Sequence, residues 1–290
     1  MAILELTDPQ AQVELRLYLE GNAFEKGIPV HLLIQGFQSS QSILDRAYLG
    51  LAEKNRLTAE ERRHFYLSSR GVKHSSLDSV VDVVLSGVQV TFPVLGALGP
   101  SGIWEHAKSA YELLKFVYEA TKRGEQPTYQ NNGDGTISVN NGTQVNVYNG
   151  PVFNIAKLSQ NNYNDLASHV LNDSIQSFSL SDGASGGGIF MAHNEAAYFD
   201  LPSTIETEQL ELECEIFDFN KFEDTGKLRV VDGQALPSKD YRFSVVGNQA
   251  DVTYIEAMLR KTVKVTCLKE IKLDPLAQEK IVRLQVLKVA

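Results

Sequence analysis

Asp134-Gly-Thr-Ile-Ser-Val139, Gly142-Thr-Gln-Val-Asn-Val147 and Gly150-Pro-Val-Phe-Asn-Ile155 repeat one pattern three times, eight residues apart. Ile137, Val145 and Phe153 fall in one column, and Val139, Val147 and Ile155 in another. Two apolar side chains per rung, with Asn and Gly between rungs, predict short β rungs joined by tight turns, in a β-meander or stacked β-coil. Such a segment is too polar to build a core of its own and needs a partner surface. Three readings compete: a linker hairpin that packs on one domain of the same chain, an amyloid-type signalling motif, and, as the favoured expectation, an element that joins copies of the chain through edge pairing and Asn ladders. The predicted contact residues are Ile137, Val139, Asn140, Val145, Asn146, Val147, Tyr148, Phe153 and Ile155.

Outward from this segment the chain reads as α+β. Val13, Leu15, Leu17 and Leu19 alternate with Glu14, Arg16, Tyr18 and Glu20, the signature of a half-buried strand. From Val30 to Ala52 the apolar residues follow a 3.6-residue period, with Ser40 and Gln41 in the stripe where a close neighbour packs. Strands are expected at His64 to Ser69 and Leu77 to Phe92. A second helix starts near Ser101 with Ile103, Ala107, Ala110, Leu114 and Val117 on one side. The predicted modules are an α+β domain at 1–123, a linker and Asn-rich β-repeat at 124–164, a short helix and Gly-rich loop at 165–204, and a small β-barrel at 205–290.

The last module alternates most regularly. Leu210, Leu212, Cys214 and Ile216 face one way and Glu211, Glu213 and Glu215 the other, and Phe217 with Phe219 marks a bulge. Further strands are expected at Lys227 to Val231, Tyr241 to Val246, Val263 to Cys267 and Val282 to Val286. A helix over Gln249 to Leu259 places Val252, Ile255 and Leu259 on one side. The order β-β-β-α-β-β resembles an OB-like barrel.

Composition narrows the function classes. The chain has 290 residues, 43% hydrophobic and 22% charged, room for two cores. A net charge of −9 opposes broad attraction to nucleic acid, although residues 258–290 hold eight basic side chains. Cys214 and Cys267 lie on apolar strand faces and read as buried thiols in a reducing, cytoplasmic setting. An acidic residue in Met1-Ala-Ile-Leu-Glu-Leu6 argues against an export signal. Val83 to Trp104 runs 22 residues without a formal charge, long enough to span a bilayer. Its Ser, Gly and Pro residues favour a strand, a loop and a helix start over a membrane segment.

Chemical motifs are sparse. Gly183-Ala-Ser185-Gly-Gly187 matches a nucleophile elbow and a Gly-x-Ser-Gly-Gly protease loop, making Ser185 the one catalytic candidate. An elbow needs a helix at once and a downstream triad, whereas Ile189-Phe-Met-Ala192 is strand-like and only His193 follows. A protease would need His64 or His74, so a flexible Gly/Ser loop is the simpler reading. The six histidines show no metal-ligand spacing, and no phosphate-binding Gly motif follows a strand, so neither metal nor cofactor is expected. For single-stranded nucleic acid the barrel offers Phe219, Tyr241 and Phe243, with Arg242 beside them.

The N-terminal strand and long Ser-containing helix, the Gly-rich apolar loop before a second helix, and Asn140-Asn-Gly-Thr-Gln-Val-Asn-Val-Tyr-Asn149 together resemble a group of uncharacterised bacterial proteins. These are encoded near phage-defence and mobile-element genes. The resemblance covers roughly residues 10 to 160 and carries over no catalytic residues. It implies a sensor, scaffold or effector in antiviral defence, with a protein partner encoded nearby. The expectation is therefore a non-enzymatic, cytoplasmic homo-oligomer. The alternatives are a membrane-disrupting effector using residues 83–104 and a single-strand-binding barrel.

Overall fold

Leu15, Leu17 and Leu19 are buried on one face of β1 (Val13–Glu20), as their alternation predicts. The computed structural model describes residues 13–24, 27, 29–73, 77–85, 99–133, 135–172, 175–182, 187–276 and 280–290. These form two compact units, residues 1–200 and 201–290.

In the first unit, β1 is the middle strand of a five-stranded antiparallel sheet. The others are β2 (Phe65–Lys73), β3 (Leu77–Leu85), β7 (Ser177–Asp182) and β8 (Gly188–Ala192), in the order β2-β3-β1-β7-β8. Its apolar face, with Val81, Val83, Phe178, Leu180, Ile189 and Met191, is buried. The helical layer comprises α1 (Val30–Leu51), α3 (Gly99–Lys122), α4 (Gly150–Leu171) and α5 (His193–Phe199). In α1 the expected stripe is rotated over its first half. Leu32, Gly36 and Ser40 are buried, while Val30 and Ile34 are exposed. Small residues let helices approach: a Cβ on Gly50 would lie 2.4 Å from Cγ1 of Ile155 on α4. Tyr111, Tyr118, Tyr163 and Phe199 pack their rings together where α3, α4 and α5 meet.

The boundaries expected at 123 and 164 fall inside this unit. β7 and β8 complete the sheet begun by β1, so the segments expected to separate two modules belong to the first. The short helix expected at the start of the 165–204 module is the last part of α4, which ends at Leu171, and β7 starts at Ser177.

The Asn-rich segment divides between two kinds of structure. β4 (Thr128–Asn131), β5 (Thr136–Asn140) and β6 (Val145–Asn149) make a three-stranded antiparallel sheet in chain order. The third expected rung is a correction: Gly150 to Ile155 is the first turn and a half of α4, not a strand. Asn149 stands at the helix N-cap and Pro151 within its first turn, where proline's fixed φ and missing N–H suit a helix start. Of the two expected arrangements, these three strands take the meander and not the stacked β-coil. The strands pair antiparallel, so Ile137 opposes Tyr148 and Val139 opposes Asn146, rather than each Val meeting a Val.

The second unit holds β9 (Ser203–Asn220), β10 (Thr225–Val230), β11 (Asp240–Val245), α6 (Asp251–Ala257), β12 (Val263–Lys272) and β13 (Lys280–Val289). The strands pair in the order β10-β11-β13-β12-β9, and β9 returns to β10, closing the ring. Among the described residues of the barrel, only β11 and β13 run parallel. Leu212, Cys214 and Ile216 point inward and Glu211, Glu213 and Glu215 outward. The pairing of β9 with β10 shifts between Ile216 and Asp218, so Phe217 is the extra residue of a bulge. Within α6 the expected inner side is reversed. Tyr254 and Ala257 are buried, whereas Val252, Ile255 and the following Leu259 are exposed. Tyr254 decides this: its ring stacks on Phe219 at 4.8 Å and on Phe243 at 5.7 Å, plugging the barrel.

Candidate functional site

Each residue predicted to join copies of the chain now has a position. Residues directly opposite in an antiparallel pair share a face. Ile137, Val139, Asn146 and Tyr148 therefore share one face of the β4–β6 sheet, on which Val139 is buried. Phe153 and Ile155 lie on α4. Phe153 meets Tyr129 edge to face at 5.3 Å, and Ile155 is buried against Gly50. These side chains serve the first unit's own packing. The outward face keeps Asn140, Val145 and Val147, the two valines 58% and 61% exposed on the edge strand β6.

The asparagines hold turns rather than ladders. Asn141 is buried, and its Oδ1 accepts from the backbone N–H of Thr143 at 3.1 Å and of Gln144 at 2.8 Å. Asn140 Oδ1 accepts from Gly142 N at 2.7 Å, with Gly142 at a φ of +92°. Asn131 repeats this towards Gly133 N at 2.9 Å. Side-chain carbonyls that mimic a backbone turn explain why this segment needs so many asparagines.

In the barrel, three of the four nucleic-acid candidates point inward. Phe219 and Phe243 stack at 6.3 Å inside the core, and Tyr241 is buried with its hydroxyl donating to Pro237 O at 3.2 Å. They form no stacking platform, which corrects the expectation. Arg242 is exposed and lines an outer cleft of about 380 Å³ with Asp218, Asn220, Glu223, Lys227 and Arg283. The exposed aromatics are elsewhere. Phe217 lies under Arg229, 5.6 Å from its guanidinium, and Phe222, 88% exposed, stands on the β9–β10 loop.

A larger cleft of about 740 Å³ lies on the five-stranded sheet, lined by Arg16, Tyr18, Ser177, Ser179, Ser181 and Phe190. Its cation is engaged, because Arg16 donates to both carboxylate oxygens of Asp78 at 2.8 and 2.7 Å. One buried acidic site escaped the sequence reading. Burial alone would raise the Glu61 carboxyl. Hydrogen bonds from Lys54 Nζ, the Thr58 backbone N–H and the Tyr48 hydroxyl outweigh that and hold it at about 2. Thr58-x-x-Glu61 is a capping box at the start of α2 (Ala59–His64), a signal legible in the sequence. Its role is structural, tying α1 to α2.

Ser185 and His74 lie outside the described residues, as do residues 86–98 of the uncharged segment. The end of that segment packs in the core: Ile103 is buried on α3, as is Trp104, whose Nε1 donates to Asp182 at 2.5 Å. Among the described residues no helix is long and apolar enough to cross a membrane, and no His, Cys, Asp and Glu cluster could hold a metal ion. Both thiols are free and buried. Comparison of the chain with protein families, with curated proteins and with solved structures gives no match.

Proposed function

We propose that the protein is a self-assembling scaffold or sensor, in which copies join through the edge strand β6. The observation that carries this is the exposed pair Val145 and Val147 beside an edge with no strand partner among the described residues. Exposed β-branched residues on an edge strand favour pairing with another strand, and natural edges usually carry charges or proline against it. The segment from Gln144 to Asn149 contains neither. The resemblance to proteins encoded near phage-defence genes supplies the setting, a bacterial antiviral component that works through assembly. The barrel then serves as the partner-binding module. Its helix falls between the third and fourth strands and its third strand runs parallel to its fifth, an arrangement read here as OB-like.

The fold selects the test. Deleting residues 134–155 would remove the start of α4 and the buried Ile155, so it would damage the first unit whatever its assembly. Lysine at both exposed valines (V145K/V147K) alters only the outward face. Light scattering after size exclusion is expected to show an oligomer for the native chain and a smaller species for the variant, with unchanged circular dichroism. A native monomer, or a variant of undiminished size, sinks the proposal.

A further inference from the structure

A second surface, independent of β6, carries a more specific chemistry. Lys227 on β10 and Arg242 on β11 are directly opposite in the antiparallel pair. Arg283 stands beside Arg242 on the parallel neighbour, since each precedes a residue of the inward-facing pair Phe243 and Leu284. Three cations thus lie side by side across three adjacent strands on the barrel's outer wall, and all three line the same cleft. Like charges directly opposite in a sheet repel and lower its stability.

The ends of this row have partners and its centre has none. Lys227 is 3.6 Å from Asp218, and Arg283 Nη1 donates to Ser244 Oγ at 2.8 Å. Arg242 forms no ion pair or hydrogen bond among the described residues. An anion seated over Arg242 would turn the repulsion into attraction, and the planar guanidinium fork fits the oxygens of a phosphate. The surroundings limit its size. Asp218 and Glu223 line the same cleft and the chain carries a net charge of −9, which opposes a long polyanion. The same two carboxylates can accept hydrogen bonds from the hydroxyls or amino groups of a small ligand. The loop between β9 and β10, which supplies Glu223 to the cleft, also presents Phe222 to solvent; Lys221 Nζ lies 5.1 Å from its ring centre over one face, and a planar ring can stack on the other.

We infer that the barrel wall centred on Arg242 binds a small phosphate monoester with a planar, hydrogen-bonding body, the chemistry of a nucleoside monophosphate. The phosphate lies on Arg242 between Lys227 and Arg283, with the remainder toward Glu223 and Phe222. Calorimetric titration of the full chain with adenosine 5′-monophosphate, adenosine, inorganic phosphate and a short oligothymidylate tests this. The monophosphate is expected to bind, and the Arg242→Ala variant to bind it at least about tenfold more weakly, the loss of a charge-assisted hydrogen bond. Arg242→Lys should recover part of that loss, because it restores the charge without the fork. Arg242 is exposed, so both variants keep the native fold. Absence of binding at millimolar monophosphate overturns the inference, as does full affinity in Arg242→Ala. Equal affinity for adenosine removes the phosphate seat, and equal affinity for inorganic phosphate removes the planar body. Affinity that climbs with oligonucleotide length makes the wall a strand-binding surface instead.

Discussion

The five-stranded sheet and the barrel are both mainly antiparallel and both place alternating apolar residues on one face, yet they are assembled over different distances along the chain. The barrel draws all its strands from residues 203–289 and closes on itself. The sheet joins Leu15 to Val81 on one side and to Asp182 on the other, with several helices and a second sheet intervening. Closure removes edges, whereas the first unit retains edge strands in both of its sheets. Local pairing lets the barrel complete its own hydrogen-bonded ring within one stretch of chain; distant pairing threads the first unit's helices between strands that meet in one sheet.

The strongest test of this contrast is a barrel variant. A Cβ at Gly226 would sit 2.2 Å from Asp218 O and 2.6 Å from the Phe243 ring. Gly226→Ala is expected to destabilise the barrel by about 3 kcal/mol through overpacking. Hydrogen-exchange mass spectrometry should show lost protection in β9–β13 and unchanged protection in β1 and β7. Loss throughout both units would break the contrast.

A smaller effect probes the first unit through Glu61. Its carboxyl is held at about 2 against an ordinary 4.5, so its ionised form is favoured in the folded state. That contribution is fully present above pH 4.5 and is lost as the pH falls towards 2. Glu61→Gln is expected to cost about 2 kcal/mol near neutral pH, the usual scale for a buried charged hydrogen-bonding group. In chemical denaturation the difference between variant and native chain should shrink across that acid window, and a constant difference would contradict the assignment. The smallest effect is expected at Gly50. Gly50→Ala pushes on Ile155, but alanine's better helix propensity returns about 1 kcal/mol. A net loss of about 1 kcal/mol in the first unit, read from the same denaturation curves, would show that α1 and α4 share one cooperative core.

The same difference in distance explains what could be read from the sequence. Leu210 to Ile216, the Phe217 bulge and the order of the last strands were legible because neighbours in the barrel are mostly neighbours in the chain. The place of Ser177 to Ala192 was not, since nothing local says that these strands join β1. The eight-residue rhythm at Phe153 and Ile155 misled because apolar spacing over six residues fits a strand and a helix start equally. Asn149 and Pro151 were the residues that distinguished them. Periodicity located the stripe Val252, Ile255 and Leu259 without saying which side of α6 met the barrel. For the site, the sequence sets Arg242 between aromatics that face inward; its significance lies in register with Lys227 and Arg283, which only paired strands reveal.

The two free thiols give the barrel a property of their own. Cys214 and Cys267 are fully buried, and burial pushes them up to about 12 and about 11, so the reactive thiolate is scarce in the folded state. Neither has a disulfide partner. A thiol reagent therefore reaches them only when the strands part, and its rate of uptake is a built-in clock for barrel opening that needs no added label.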